Sequence, residues 1–290
     1  MQREGADFET LLLASVGCSS ATPPPAPFTT YQHALATIDT SSSIILSAYM
    51  LSPNSRVTRH LAQAAARGAH VHVVLTGEGF GYALRDNRQT AALLTKRGVR
   101  VQLSDYPLHM KSLIGDHDTI VTDTNFTARG LYVELPAGAR ATVYHAILGH
   151  TGFYGGFTTD KASSLRVEAA ALASTTGPIT IESESFSDHN PVFDVLLVAI
   201  ARHRSVEVLA NADDAAHSAS FARASSILGA AGVHVHLVRS DEKLAVSNSV
   251  CWAGSSNSSR GLESQVDWGL RLDNAAACTW LAQRIERNRS

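Results

Sequence analysis

Ile44-Ile45-Leu46-Ser47-Ala48-Tyr49-Met50 and Ile179-Thr180-Ile181-Glu182-Ser183 stand 135 residues apart, and each opens the same succession of elements. Both runs are short, apolar and β-branched, which predicts buried strands. After the first, apolar residues at helical spacing over 57–67 close at Gly68. A strand over 71–75, a helix over 90–96 ending at Gly98, and a strand over 99–103 follow. After the second come a helix over 193–202, a strand over 206–209, a helix over 221–230 ending near Gly232, and a strand over 233–237. Strands alternating with helices of this length form βαβ units around a mostly parallel, buried sheet. The chain therefore reads as two structural copies, with a period far too long for a solenoid.

The segments around the copies are less regular. Residues 11–16 read as a first buried strand. Their apolar run is too short for a secretory h-region, and Glu4, Asp7 and Glu9 spoil a positive flank. Pro23-Pro24-Pro25-Ala26-Pro27 suits a surface connection, and 28–38 a helix. Residues 131–160, with five glycines between Gly138 and Gly156, read as the end of the first lobe plus an irregular loop. A helix over 161–173 opens the second lobe. The expected division is 1–160 and 161–290.

Composition narrows the function. Of 290 residues, 44% are hydrophobic and 17% charged, as in a well-packed globule. A net charge of −2 counts against nucleic acid as the main partner, because dedicated binders carry a basic excess. No run is long enough for a membrane span, so a cytoplasmic or peripheral-membrane location is expected. Cys18, Cys251 and Cys278 show no metal-type spacing and read as packed or idle thiols.

The chemistry sits after the third strand of each copy. The first has His109-x-Lys111-x4-Asp116 followed by Thr122-Asp123-Thr124-Asn125. The second has Asp241-x-Lys243-x4-Asn248 followed by Gly254-Ser255-Ser256-Asn257. Lysine to asparagine is 14 residues in both copies, and the two lysines are 132 residues apart. A phosphodiester repels nucleophiles through its negative charge, which lysines and amide donors neutralise. A neutral imidazole can attack phosphorus and divide one displacement into two, while a second group protonates the leaving oxygen.

These motifs resemble the HxKxxxxD and GSxN segments of the phospholipase D superfamily, over about residues 8–285. The resemblance implies an α/β, bilobal fold: two mostly parallel sheets flanked by helices and related by a pseudo-twofold axis. It implies metal-independent catalysis, without a cofactor, through a phosphohistidine at His109. Lys111, Lys243, Asn125 and Asn257 would bind phosphate, Asp116 would orient or balance its own cluster, and Ser255 would add a hydrogen bond. Asp267 falls where relatives carry a carboxylate after the motif. The implied activity is that of a phosphodiesterase or phosphatidyl transferase on a lipid or small phosphodiester, with a nuclease as a further alternative. The segment 149–157 is compatible with a peripheral membrane contact.

The second copy departs from this pattern, with Asp241 in place of the second histidine and Asn248 in place of the second aspartate. Gly98 to Lys111 is 13 residues but Gly232 to Lys243 only 11, which loosens the placement of Asp241. Three readings stay open: an unusual general acid (Asp241, Glu184 or His189), two chains pairing their His109 residues, or a degenerate site that serves as a phosphate-binding or protein-interaction scaffold. Oligomeric state is not legible.

Overall fold

The computed structural model describes residues 26–79, 81–259 and 264–289. Residues 11–18 and 23–25 lie outside these, so the first strand expected there is not among the elements below.

The first lobe runs β1 (Phe28–Thr29), α1 (Tyr31–Thr40), β2 (Ser43–Ala48), α2 (Arg56–Ala66), β3 (His70–Thr76), α3 (Gly81–Thr95) and β4 (Arg100–Ser104). It continues through β5 (Lys111–Ile114), β6 (Thr119–Thr122), β7 (Tyr132–Glu134), a 3-10 turn at Ala137–Ala139 and α4 (Arg140–Ile147). The second begins with β8 (Phe153–Tyr154), β9 (Phe157–Asp160), α5 (Lys161–Ala173), β10 (Ile179–Ser183), α6 (Pro191–Ala201), β11 (Val206–Asn211) and α7 (Ala212–Ala215). It ends with α8 (Ala219–Ala230), β12 (Val235–Val238), β13 (Lys243–Ser247), β14 (Val250–Gly254), β15 (Val266–Leu272) and α9 (Ala275–Arg289).

Two mixed sheets result, ordered β1-β7-β6-β5-β2-β3-β4 and β12-β11-β10-β13-β14-β15-β9-β8. The expected βαβ blocks are there: β2, β3 and β4 pair in parallel, as do β10, β11 and β12. The remaining neighbours pair antiparallel, and each motif lysine starts a strand, β5 or β13, that lies between the first parallel strand of its lobe and a hairpin partner. The helix expected over 90–96 begins earlier, at Gly81, because Ala83 and Asn87 bury one face of a longer amphipathic stretch. The loop expected over 131–160 is largely ordered as β7, α4, β8 and β9. β8 and β9 pair beside β15, so the second sheet reaches back across the expected division at residue 160.

Local chemistry explains the helix starts. Asp160 caps α5 through Ser163 N, and Asn190 caps α6 through Val192 N and Phe193 N ahead of Pro191. Each lobe has its own core on its helical side. A third core is shared, bringing Met110 and Val121 together with Leu244, Trp268 and Leu281.

The sheets also touch directly. His109 N and Met110 N donate to Val266 O, Val266 N donates to Pro107 O, and Trp268 Nε1 donates to Thr122 O. The backbone of the first motif is thus pinned to β15 of the other lobe. Cys251 and Cys278 form a disulfide between β14 and α9, with Cα atoms 5.4 Å apart. This corrects the reading of these cysteines as idle thiols: 27 residues separate them, and only tertiary packing brings them together.

Candidate active site

Side chains two residues apart share a face of an extended chain, so His109 and Lys111 point the same way. Lys111 is 2% exposed, and its Nζ lies 3.0 Å from His109 Nε2. The other ring nitrogen, Nδ1, lies 3.1 Å from Oδ1 of Asp267 on β15. An ionised carboxylate only accepts, so Nδ1 carries the proton and Nε2 presents its lone pair. Burial, reinforced by the Lys111 charge, lowers the His109 pKa and keeps the ring neutral; Asp267 opposes this.

Asp267 is 1% exposed. Burial works against its charge, but His109, Lys111 and a hydrogen bond from Ser255 hold its pKa below the usual carboxylate value. Ser255 is fully buried, donates to Asp267 and accepts from Trp268 N. Ser255 therefore braces the carboxylate and is not brought to a substrate position.

The lysines converge. Burial, with the charge of Lys243, lowers Lys111 to about 8. Lys243 is equally buried, but its Nζ lies 2.7 Å from Glu184 Oε2. Burial works to lower Lys243, and the charges of Glu184 and Asp123 more than reverse that. Burial likewise works to raise Glu184, but Lys243, then Lys111 and His109, bring it down to about 2.

The asparagines occupy matching places. Asn125 Oδ1 accepts from Met50 N, and Asn257 Oδ1 accepts from Ser185 N. Asn257 Nδ2 also lies 3.5 Å from Glu184 Oε2. Each asparagine therefore latches the backbone just beyond the first parallel strand of its lobe, β2 or β10. The residues preceding those latches are Tyr49 and Glu184, again 135 apart. The Tyr49 and His109 rings meet in a T-shaped contact with centroids 5.2 Å apart, and Lys111 Nζ lies over the Tyr49 ring, 5.9 Å from its centroid. Sequence reasoning did not select Tyr49; the constant offset between the copies is the signal that finds it.

Two expected site residues are not brought together with the others. Asp116 sits at the far end of β5, where its carboxylate accepts from Ser42 N, Ser42 Oγ and Ser43 N; those bonds lower its pKa. It ties the β5–β6 turn to the start of β2 and does not touch His109. Asp241 is exposed and turned aside: Asn211 Nδ2 donates to its Oδ1, and only its backbone carbonyl meets Lys243 Nζ. The shorter approach to β13 accounts for this. His189, the third acid considered, faces outward and pairs with Asp188.

Residues 35–139 match the family model described as cardiolipin synthase, PLD-like domain. Ninety per cent of the chain aligns with phosphatidylserine synthase from Haemophilus influenzae, at 9% identity and a TM-score of 0.65, covering 84% of that chain. The same share aligns with polyphosphate kinase from Porphyromonas gingivalis, at 13% identity and a TM-score of 0.61. The chain spans about half of that kinase, covering 48% of it. No curated protein matches in sequence. Residues 35–139 thus match a PLD-like domain, and the fold of almost the whole chain is similar to that of the phosphatidylserine synthase. Among the described residues no helix is long and apolar enough to cross a membrane.

Proposed function

We propose that the chain is a phosphodiesterase or phosphatidyl transferase that works through a covalent phosphohistidine at His109. The observation that carries this reading is the polarised imidazole, with Nδ1 tied to Asp267 and Nε2 directed at a buried pair of lysines. In the first half-reaction Nε2 attacks phosphorus and the bond to the leaving oxygen breaks. Lys111 and Lys243 take the non-bridging oxygens.

The leaving oxygen needs a proton, and Glu184 is the acid on the side of the second lobe. It is ionised while it holds Lys243. A phosphodiester entering between the lysines competes for them and adds its own charge, and both effects raise the Glu184 pKa. Glu184 takes up a proton from solvent as its pKa rises, and then gives that proton to the leaving oxygen. In the second half its carboxylate takes a proton from water or an alcohol, which attacks phosphorus as the N–P bond breaks. The near-neutral charge of the chain favours a lipid or small phosphodiester over nucleic acid.

One observation favours a second reading, a phosphate-binding or interaction scaffold with impaired catalysis. The Glu184 carboxylate already occupies Lys243 and Asn257, the second lobe's share of the anion site. Hydrolysis of bis-p-nitrophenyl phosphate and phosphatidylcholine by the native chain, His109→Ala and Glu184→Gln separates the two. Turnover lost in His109→Ala, with acid-labile phosphate trapped on the native chain, supports the enzyme. A folded native chain with no turnover above His109→Ala on either substrate supports the scaffold.

A further inference from the structure

Beside Lys243 lies a cavity of about 710 Å³. Thr124 and Arg129 line it from the loop after β6, Arg239 and Asp241 from the approach to β13, and Arg284 and Arg287 from α9. It shares a wall with the site, because the backbone carbonyl of Asp241 is a partner of Lys243 Nζ.

Its electrostatics are lopsided. Arg284 is committed to Glu242 through its Nε at 2.7 Å, and its Nη2 donates to Arg129 O at 2.6 Å, which fixes the loop against α9. Glu242 is thereby neutralised. Arg129 and Arg239 come from different lobes and have no ion-pair partner among the described residues. The one remaining carboxylate in the lining, Asp241, is held back by Asn211. Unpaired guanidinium groups converging with a threonine hydroxyl suit the oxygens of a phosphate group. The space exceeds what a bare phosphate needs and lies in the range of ordinary ligand sites.

We propose that this cavity is a second phosphate-binding site, separate from the reactive centre and specific for a phosphomonoester or pyrophosphate group. Taken with the proposed function, on which this step rests, the substrate carries a second phosphate beyond the scissile diester.

The test uses the full chain and two probes: soluble inorganic pyrophosphate, followed by calorimetry, and phosphatidylcholine vesicles with phosphatidic acid, followed by co-sedimentation. Arg129→Gln/Arg239→Gln is compared with the native chain. Arg97→Gln/Arg100→Gln, remote from the cavity, controls for loss of general positive charge. We expect the cavity variant to bind at least about tenfold more weakly at low salt, from the loss of two charge-assisted contacts, and the control variant to match the native chain. Loss confined to pyrophosphate assigns the site to a soluble ligand, and loss confined to vesicles assigns it to a lipid headgroup. Equal binding by the native chain and the cavity variant, or an equal drop in the control, overturns the proposal. Pyrophosphate contains no diester, and the vesicle arm is run with every variant in the His109→Ala background, which cannot turn over phosphatidylcholine through a phosphohistidine, so failure of the proposed catalysis leaves this result readable.

Discussion

Replacing Asp267 with asparagine removes a charge at nearly constant shape and probes the centre of the site. The amide keeps an oxygen to accept from His109 Nδ1 and Ser255, so the ring stays anchored. The perturbation is then electrostatic. An opposite charge within hydrogen-bond distance of a buried ring moves its pKa by about 1–3 units. Asp267 works upward on His109 against burial and Lys111. Its loss lowers the His109 pKa further by that amount. The same charge supports Lys111, which stands at about 8, so Lys111 also falls and becomes partly neutral near pH 7. In the proposed mechanism the phosphohistidine transition state places positive charge on the ring and loses the same stabilisation, which predicts a roughly 10- to 1000-fold lower turnover. The alkaline limb of the pH–rate profile moves to lower pH. Titration of the imidazole Cε1–H signal by carbon-edited NMR measures the ring directly, with or without a substrate. A His109 pKa that stays put or rises in the variant refutes the assigned geometry.

Other outcomes follow from the buried groups. Burial lifts Glu168 to about 8, against the hydrogen bond from Ser258, so the folded chain holds a proton there that the unfolded chain releases above about 4.5. Its contribution is complete at low pH and is lost as pH rises towards 8, by on the order of 5 kcal/mol at most. Glu168→Gln, which mimics the protonated form, should leave Tm unchanged at pH 4.5 and raise it at pH 8.5; an equal Tm effect at both values counts against the assignment. Reducing the Cys251–Cys278 bridge opens a loop of 27 residues, and chain entropy predicts a loss of about 3.5 kcal/mol, measured by urea titration with and without reductant. Glu184→Gln frees Lys243 and Asn257, so inorganic phosphate should bind more tightly while diester turnover falls. Weaker phosphate binding in that variant argues against a carboxylate occupying the anion position.

Much of this architecture is legible in the sequence because it rests on periodicity. The apolar runs at 44 and 179 fix the first strand of each parallel block, and equal lysine-to-asparagine spacing places both lysines at the start of matching hairpins. What spacing leaves open is the direction of individual side chains. Asp241 stands where a second histidine is expected, yet an approach to β13 two residues shorter turns its carboxylate to Asn211. Asp116 keeps its interval from Lys111, but four residues of strand carry it to the opposite end of the sheet. The pairing of Cys251 with Cys278 and the return of β8 and β9 beside β15 are long-range contacts with no local signature.

The division of labour between the lobes follows from one pair of positions. The backbone after β2 and the backbone after β10 are latched alike by Asn125 and Asn257. Before each latch the chain presents one side chain towards the lysines: Tyr49 in the first lobe and Glu184 in the second. Tyr49 beside His109 adds no formal charge, and burial holds the imidazole there neutral. A carboxylate at the equivalent place raises Lys243 and is itself held ionised until another anion arrives. Under the proposed mechanism, equivalent backbone positions therefore supply the neighbour of the nucleophile on one side and a substrate-gated acid on the other. Asp241 stays close enough for the Glu184 charge to help raise its pKa, but its carboxylate is turned to Asn211 Nδ2, so among the described residues Glu184 is the carboxylate that pairs with Lys243.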